Sequence, residues 1–183
     1  MLLSKDFPKM RKADREFHDV ELYKAIFDRT SVMQYALNTA QGVPYIVNTN
    51  YGYTFDEDGT LHIYLHLGKE GFKIDCMRAD NRVCATVNLY RQFEEHGELG
   101  IHTFASVVAF GHIHLIDRKE DPMEFGKAMR AIVDHTKTMG KLRVKSDETA
   151  RLYAARIDCL PGDIYGKTEH PLTVENIDER FGL

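Results

Sequence analysis

Apolar and polar positions alternate in short runs along much of the chain, and one of the clearest runs lies a third of the way in. Leu61, Ile63, Leu65 and Leu67 alternate with His62, Tyr64 and His66, a period of two that predicts a strand with one face inward. Beyond Lys73 the period lengthens. Ile74 and Met77 break the alternation and Phe72 lies four residues before Cys76, so a short helix is predicted over 70–79. Upstream, Asp19 is a fitting N-cap for a helix over 20–27 whose Leu22, Ile26 and Phe27 form one apolar stripe. Strands are predicted over 32–37 and 45–53, with a turn at Gln41-Gly42 between them, and residues 56–59 close a hairpin onto the strand that ends at His66. Downstream, Val83, Ala85, Val87 and Leu89 alternate with Cys84, Thr86 and Asn88 as another strand over 82–89, and polar residues 91–100 read as a loop. The longest strand is expected over 103–116, with Val107-Val108-Ala109-Phe110 at its centre. Asp121-Pro122 opens a helix whose buried side is assigned to Met129, Ile132 and Val133. A further short helix that begins at 146–149 and a last strand over 155–165, bent at Pro161-Gly162, follow.

Most neighbouring strands are joined by connections too short for parallel crossovers, so the sheet is expected to be largely antiparallel, with helices attached. Roughly six strands in this order suggest a barrel. The first 18 residues are charged and contain Pro8, and read as an arm at 1–18 that orders only by docking elsewhere. The 183 residues suffice for one sizeable core. A formal net charge of −4 and a pI near 6.1 give no general pull toward nucleic acid or an anionic membrane. No apolar run approaches the roughly 20 residues of a membrane span, and the opening residues lack a signal-peptide core, so a cytoplasmic protein is expected. Cys76, Cys84 and Cys159 are odd in number and show no C-x-x-C spacing, which suits reduced, packed thiols.

The strand ending at His66, the loop with Gly68, Lys69, Gly71 and Lys73, and the helix after it form the first chemical candidate. Free N–H groups and the positive end of a helix dipole favour an anion, glycine allows close approach, and lysine neutralises charge, so a phosphate fits. The loop is neither a Walker A sequence nor a Rossmann turn, and a solvated turn is the competing reading. His62 with His66, and His112 with His114, each share one strand face. Two ligands per pair fall short of a zinc site, so no metal is expected and solvated faces account for both pairs.

Pro44-Tyr45-Ile46-Val47-Asn48, the segment His66-x-x-Lys69-Glu70-Gly71-x-Lys73-Ile74-Asp75, Asn81-Arg82-Val83-Cys84, Ser106-Val107-Val108-x-Phe110-Gly111 and Ile164-x-Gly166-Lys167 occur in this order. Together they resemble the nitroimidazole-resistance (Nim-type) branch of the pyridoxamine 5'-phosphate oxidase-like FMN-binding split barrels. The resemblance implies a mainly β, Greek-key split β-barrel domain at 19–167, followed by a tail at 168–183, that forms a homodimer with FMN in a cleft between subunits. It puts Val47, Asn48, Thr49 and Asn50 along the flavin ring, His66 and Leu67 at its border, and Gly68, Lys69 and Lys73 at the phosphate. Ser106 would lie close to the cleft, either that of its own chain or that of the partner subunit. An extended Asn48-Thr49-Asn50 segment offers the donors and acceptors that the polar edge of a flavin needs; a polar strand end is the alternative. His66 is the catalytic candidate, because an imidazole can deliver a proton to a substrate that accepts electrons from reduced flavin, against a histidine that merely packs.

The function implied is an FMN-dependent oxidoreductase acting on a small organic molecule, with reduction of a nitroimidazole-type nitro group as its most specific version. A non-catalytic flavin or haem binder is the alternative, since one fold hosts unrelated tasks. Pyridoxamine 5'-phosphate oxidation ranks lower: the chain has no tryptophan and ends Asp178-Glu179-Arg180-Phe181-Gly182-Leu183, unlike the substrate segment of family members with that activity.

Overall fold

In a computed structural model, which describes residues 3–5, 9–92, 102–136, 151–169 and 171–183, the alternating runs become one antiparallel sheet. Its strands are β1 (Glu16–Phe17), β2 (Met33–Asn38), β3 (Pro44–Thr49), β4 (Gly52–Phe55), β5 (Leu61–Gly68), β6 (Arg82–Gln92), β7 (His102–Asp117), β8 (Leu152–Cys159) and β9 (Ile164–Thr168). Helices α1 (Val20–Asp28), α2 (Phe72–Ala79), α3 (Pro122–His135) and α4 (Ile177–Phe181) are attached to it. The strand order is β3-β2-β6-β7-β8-β5-β4, with β9 also on β7 and β1 on β9.

The sixteen-residue strand β7 is the spine. One edge carries β6 from Gln92↔His102 to Arg82↔His112. The other edge carries β8 over His112–Asp117 and β9 over Ala105–Ala109. The single strand predicted over 155–165 is therefore two strands, separated by a 3-10 turn at Pro161–Asp163. Proline supplies no N–H for a ladder at that point, so pairing lapses and resumes further along the same edge of β7.

Alternate residues of the strands fill the interior. Leu22, Ile26 and Phe27, the stripe expected on α1, meet Met33, Tyr35, Leu37, Leu61, Ile63, Leu65, Val83, Val87, Val107 and Ile157 in one buried cluster. Asp19 caps α1 as expected, accepting hydrogen bonds from the backbone N–H groups of Glu21 and Leu22. Helix α3 starts at the predicted Asp121-Pro122 and packs on the outer face of β5 and β8, where Phe125, Ala128 and Ile132 cover Tyr64, Ile116 and Ala154. Ile132 takes its expected place in that seam; Val133 is only half-buried.

Both chain ends described are tied to this body. Asp163 is buried and accepts from the backbone N–H groups of Leu3 (2.9 Å) and Ser4 (2.8 Å). Strand β1 pairs with β9 through Glu16↔Lys167 and Phe17↔Gly166. Ile177 and Phe181 of α4 belong to the main core cluster. Strand β6 runs on to Gln92, beyond the expected end at residue 89. The rest of the predicted loop over 91–100 and the helix predicted at 146–149 lie outside the described residues.

Candidate functional site

The strand predicted over 45–53 is broken, and the break creates the most suggestive feature of the sheet. Strand β4 pairs with β5 from Gly52↔Tyr64 to Phe55↔Leu61. Running back from Gly52, a straight strand would continue along β5, with residue 48 opposite residue 68. Instead β3 turns away and pairs with β2, from Thr49↔Met33 to Pro44↔Asn38. The backbone edge of β3 away from β2 and the edge of β5 at residues 65–68 are thus left without a strand partner among the described residues. The two edges open from a common corner at Asn50-Tyr51, and each carries a row of unpaired backbone donors and acceptors.

The corner is held firmly. Asn50 Nδ2 donates to the Ser31 carbonyl at 2.8 Å. The buried Tyr51 hydroxyl sits 2.6 Å from Thr30 Oγ1 and donates to the Phe27 carbonyl at 2.8 Å. A Cβ at Gly52 would meet the backbone of Ala131 in α3 at 2.3 Å, so only glycine lets the chain pass so close to that helix. At the far end the lips approach again, where the Tyr45 ring of β3 meets the Phe72 ring of α2 at 5.2 Å and 61°. About five residues at ~3.3 Å each separate the two ends.

Most residues proposed from sequence fall on these two lips. Asn48 is exposed and faces outward, as do His66 and Gly68, whereas Leu67 is buried and Val47 packs on the core. Val47 and Leu67 can therefore offer a ligand in the split little more than backbone. Thr49 donates its hydroxyl to the Asn50 carbonyl at 3.0 Å. Helix α2 begins at Phe72, two residues later than predicted. Gly71 precedes it with φ +114°, a conformation L side chains rarely adopt, and supplies no side-chain cap. The first intrahelical donors are Ile74 and Asp75, both to the Gly71 carbonyl, so the N–H groups of Phe72 and Lys73 are the orphan donors of the first turn.

The two lysines differ. Lys69 Nζ lies 2.5 Å from Asp117 Oδ2 at the end of β7 and 4.9 Å from the centre of the Tyr153 ring. That bond, with the Lys119 N–H, holds the Asp117 carboxyl below its ordinary range. An anion would have to share Lys69 with Asp117. Lys73, half-buried in the first turn of α2, faces no carboxylate among the described ion pairs. Loss of solvent around His66, and secondly the charge of Lys73, push the His66 imidazole below its ordinary value. His66 and Lys73 thus feel one another across the start of the helix.

Ser106 is not brought to this split. It lies on β7, three strands from β3, or roughly 14 Å at ~4.8 Å per strand. Between them runs an outward polar row that sequence reasoning missed. Asn48 pairs in register with Gln34. Gln34 Oε1 accepts from Asn88 Nδ2 at 3.3 Å, and Asn88 sits opposite Ser106. Only strand register exposes this row, because its members are scattered over residues 34–106. Phe72, Tyr45 and Asp117 were missed as well; Phe72 was used only to set the helix period.

Other clusters are structural. His62 is not simply solvated: its ring nitrogens lie 2.6 Å from Asp158 and 2.9 Å from Asp56. Burial works against ionisation of Asp158, yet the hydrogen bonds from Arg156 and His62 prevail and hold its carboxyl low. Among the described residues no three potential ligands group to hold a metal ion. Cys76 and Cys159 are buried and Cys84 is half-buried, all three as free thiols. A cavity of about 670 Å³ lies elsewhere, lined by Met10, Val108, Phe110 and Tyr165, and it shares no residue with the split. No helix among the described residues is long and apolar enough to cross a membrane.

Residues 19–164 match the sequence profile of the family described as pyridoxamine 5'-phosphate oxidase, and the chain belongs to that family. No curated protein matches the sequence. Among solved structures, a candidate 5-nitroimidazole antibiotic resistance protein from Bacteroides thetaiotaomicron is similar, with a TM-score of 0.67 and 22% identity over 84% of this chain and 86% of that one. An FAD and heme binding protein from Mycobacterium smegmatis has a TM-score of 0.67 at 16% identity, covering 90% of this chain and 80% of its own. The flavocytochrome Anf3 from Azotobacter vinelandii has a TM-score of 0.65 at 20% identity, covering 88% and 72%. At these identities the likeness is one of fold, and it bears out the expected split-barrel architecture with its sheet left open.

Proposed function

We propose that the split holds a flavin nucleotide and that the protein is a flavin-dependent oxidoreductase acting on a small organic molecule. The observation that carries this reading is the pair of open strand edges, β3 and the end of β5, which finish at the uncapped start of α2. A flavin ring needs a polar edge read by donors and acceptors, and its phosphate needs amides and a cation. Residues 47–50 offer the first. The N–H groups of Phe72 and Lys73, the Lys73 ammonium and the close approach allowed at Gly68 offer the second, so the residues present fit FMN.

Bound there, a flavin would supply electron transfer to an organic acceptor. The chain's own part is to orient the ring, keep water from one of its faces, and hold His66 at its border. Loss of solvent first, and the Lys73 charge second, favour the neutral imidazole of His66, so it enters as a hydrogen-bond partner at the border of the ring. Reduction of a nitroimidazole-type nitro group is the most specific version of this reading, supported by the Bacteroides neighbour.

A homodimer is part of the proposal. Ser106 lies three strands from β3 in its own chain, and Ile46, beside Asn48 on the outer face, is 63% exposed. A second copy packed on that face would cover Ile46 and bring its own Ser106 within reach. A non-catalytic flavin or haem carrier is the second reading, supported by neighbours described as FAD and heme binding and as a flavocytochrome.

Titrating FMN into the purified protein tests the proposal. Saturable binding with a perturbed flavin spectrum, at one flavin per chain, is expected; no affinity for flavin overturns it. Reoxidation of anaerobically reduced, bound flavin by one organic acceptor much faster than by its analogues marks an enzyme, and indifference to all of them marks a carrier.

A further inference from the structure

The N-terminal arm does more than tie down one end of the chain. The buried Asp163 accepts from the backbone N–H groups of Leu3 and Ser4 and from the Ser4 hydroxyl, and that hydroxyl accepts in turn from Tyr165 Oη at 2.7 Å. Further along, Glu16 and Phe17 of β1 fasten the arm to β9. Between these two attachments lies a cavity of about 670 Å³, within the span of about 300–1,000 Å³ that small-molecule sites occupy. Its sheet side is Val108 and Phe110 of β7 with Tyr165 of β9, each half-buried and outside both core clusters. The Tyr165 ring is held in place, edge to face with Phe110 at 6.3 Å and with His18 at 5.7 Å. Met10 and Ala13 line the arm side together with Lys5 and Lys9. Both lysines are exposed and neither takes part in an ion pair among the described residues, whereas the one carboxylate of the side-chain lining outside the clamp, Glu16, lies 2.8 Å from His18 Nε2.

We propose that this cavity is a second small-molecule site, which takes a planar organic acid, with its ring on Phe110 and Tyr165 and its carboxylate between Lys5 and Lys9. The site shares no residue with the split, so it stands or falls apart from the flavin reading. Two observations set the chemistry. Half-open aromatic walls held at fixed angles gain by stacking a flat apolar body, and two lysines outside any described ion pair favour an anionic end. Residues 5–16 hold five Lys and Arg against three Asp and Glu, a positive stretch in a chain whose formal net charge is −4, so a cationic ligand is disfavoured on the same ground. A ligand that touches both the arm and the sheet also adds its binding free energy to the docking of the arm.

Calorimetric titration of the whole chain with 1-naphthoate, and with 1-naphthalenemethanol as its uncharged counterpart, tests the site. Naphthoate is expected to bind at one per chain and about tenfold tighter than the alcohol, the size of effect that two partly exposed ion pairs supply. At saturation it should slow tryptic cleavage of the arm at Lys9, Arg11 and Lys12. Lys5→Gln combined with Lys9→Gln should bring the two affinities within about twofold; both lysines are exposed, so these substitutions remove no packing. Val108→Trp, which fills the cavity, should abolish binding of both compounds. No binding of naphthoate, equal affinity for acid and alcohol, a preference that survives loss of both lysines, binding that survives Val108→Trp, or cleavage unchanged at saturation overturns the proposal. So does naphthoate that shifts the amide resonances of residues 47–50 and 71–73 in place of those of residues 108–110 and 165, which assigns the acid to the split. Binding that appears only after Ile46→Asp makes the protein monomeric overturns it too, and gives the cavity to contact between copies.

Discussion

His66 and Lys73 are seven positions apart in sequence, one near the end of a strand and one in the first turn of a helix. Crowding first, and the lysine charge second, hold the imidazole below its ordinary value near 6.5. The sign follows from linkage: a depressed histidine favours the folded state above its ordinary pKa, and this contribution is lost as pH falls through the folded value. An NMR titration of the His66 ring should find a midpoint below about 6.5. It should move upward, but only part of the way, in Lys73→Met, because desolvation remains. A midpoint that Lys73→Met leaves in place would show that the two groups do not interact. His66 and Lys73 were both legible in the sequence as candidates. The commitment of Lys69 was not, because Asp117 lies 48 residues away and only the ladder of β5, β8 and β7 brings the two together.

At the scale of elements, alternation located most of the strands and the caps of α1 and α3 were written in Asp19 and Asp121-Pro122. Partner changes were not legible. Residues 45–53 read as one strand, yet they serve two strands with different neighbours. Gly52 marks the break, through the close approach of α3, which no local pattern announces. Gly52→Ala is predicted to cost about 1–3 kcal/mol or more by overpacking, lowering Tm by about 2–4 °C per kcal/mol in a chain of this size. Gly126, inside α3, is the control, because a Cβ added there would have no atom within 4 Å. Gly126→Ala should raise Tm, because alanine exceeds glycine in helix propensity by about 1 kcal/mol. Thermal melts of the two variants should move in opposite directions; a neutral Gly52→Ala would mean that α3 does not press on the corner.

For the whole molecule, the antiparallel class was legible from connection lengths and the split barrel from the ordered motifs, whereas the place where the sheet stays open was not. The polar row Asn48, Gln34, Asn88 and Ser106 runs from one lip of the split across the outer face to β7, three strands away. A dimer through this face follows as an expectation. Sedimentation should give twice the chain mass of 21.1 kDa. Ile46→Asp should shift the protein to monomer and weaken flavin binding together, whereas a monomeric wild type that binds flavin fully would remove any need for a partner subunit.

Adding FMN to isotopically labelled protein and following the backbone amide resonances tests the site most directly. Resonances of residues 47–50, 66–69 and 71–73 should shift and saturate together, with those of Met123 and Lys127 on the outer side of α3 unmoved. Shifts confined to the face that bears Met10, Val108 and Tyr165, or none at all at saturating flavin, would contradict a nucleotide held between β3 and β5.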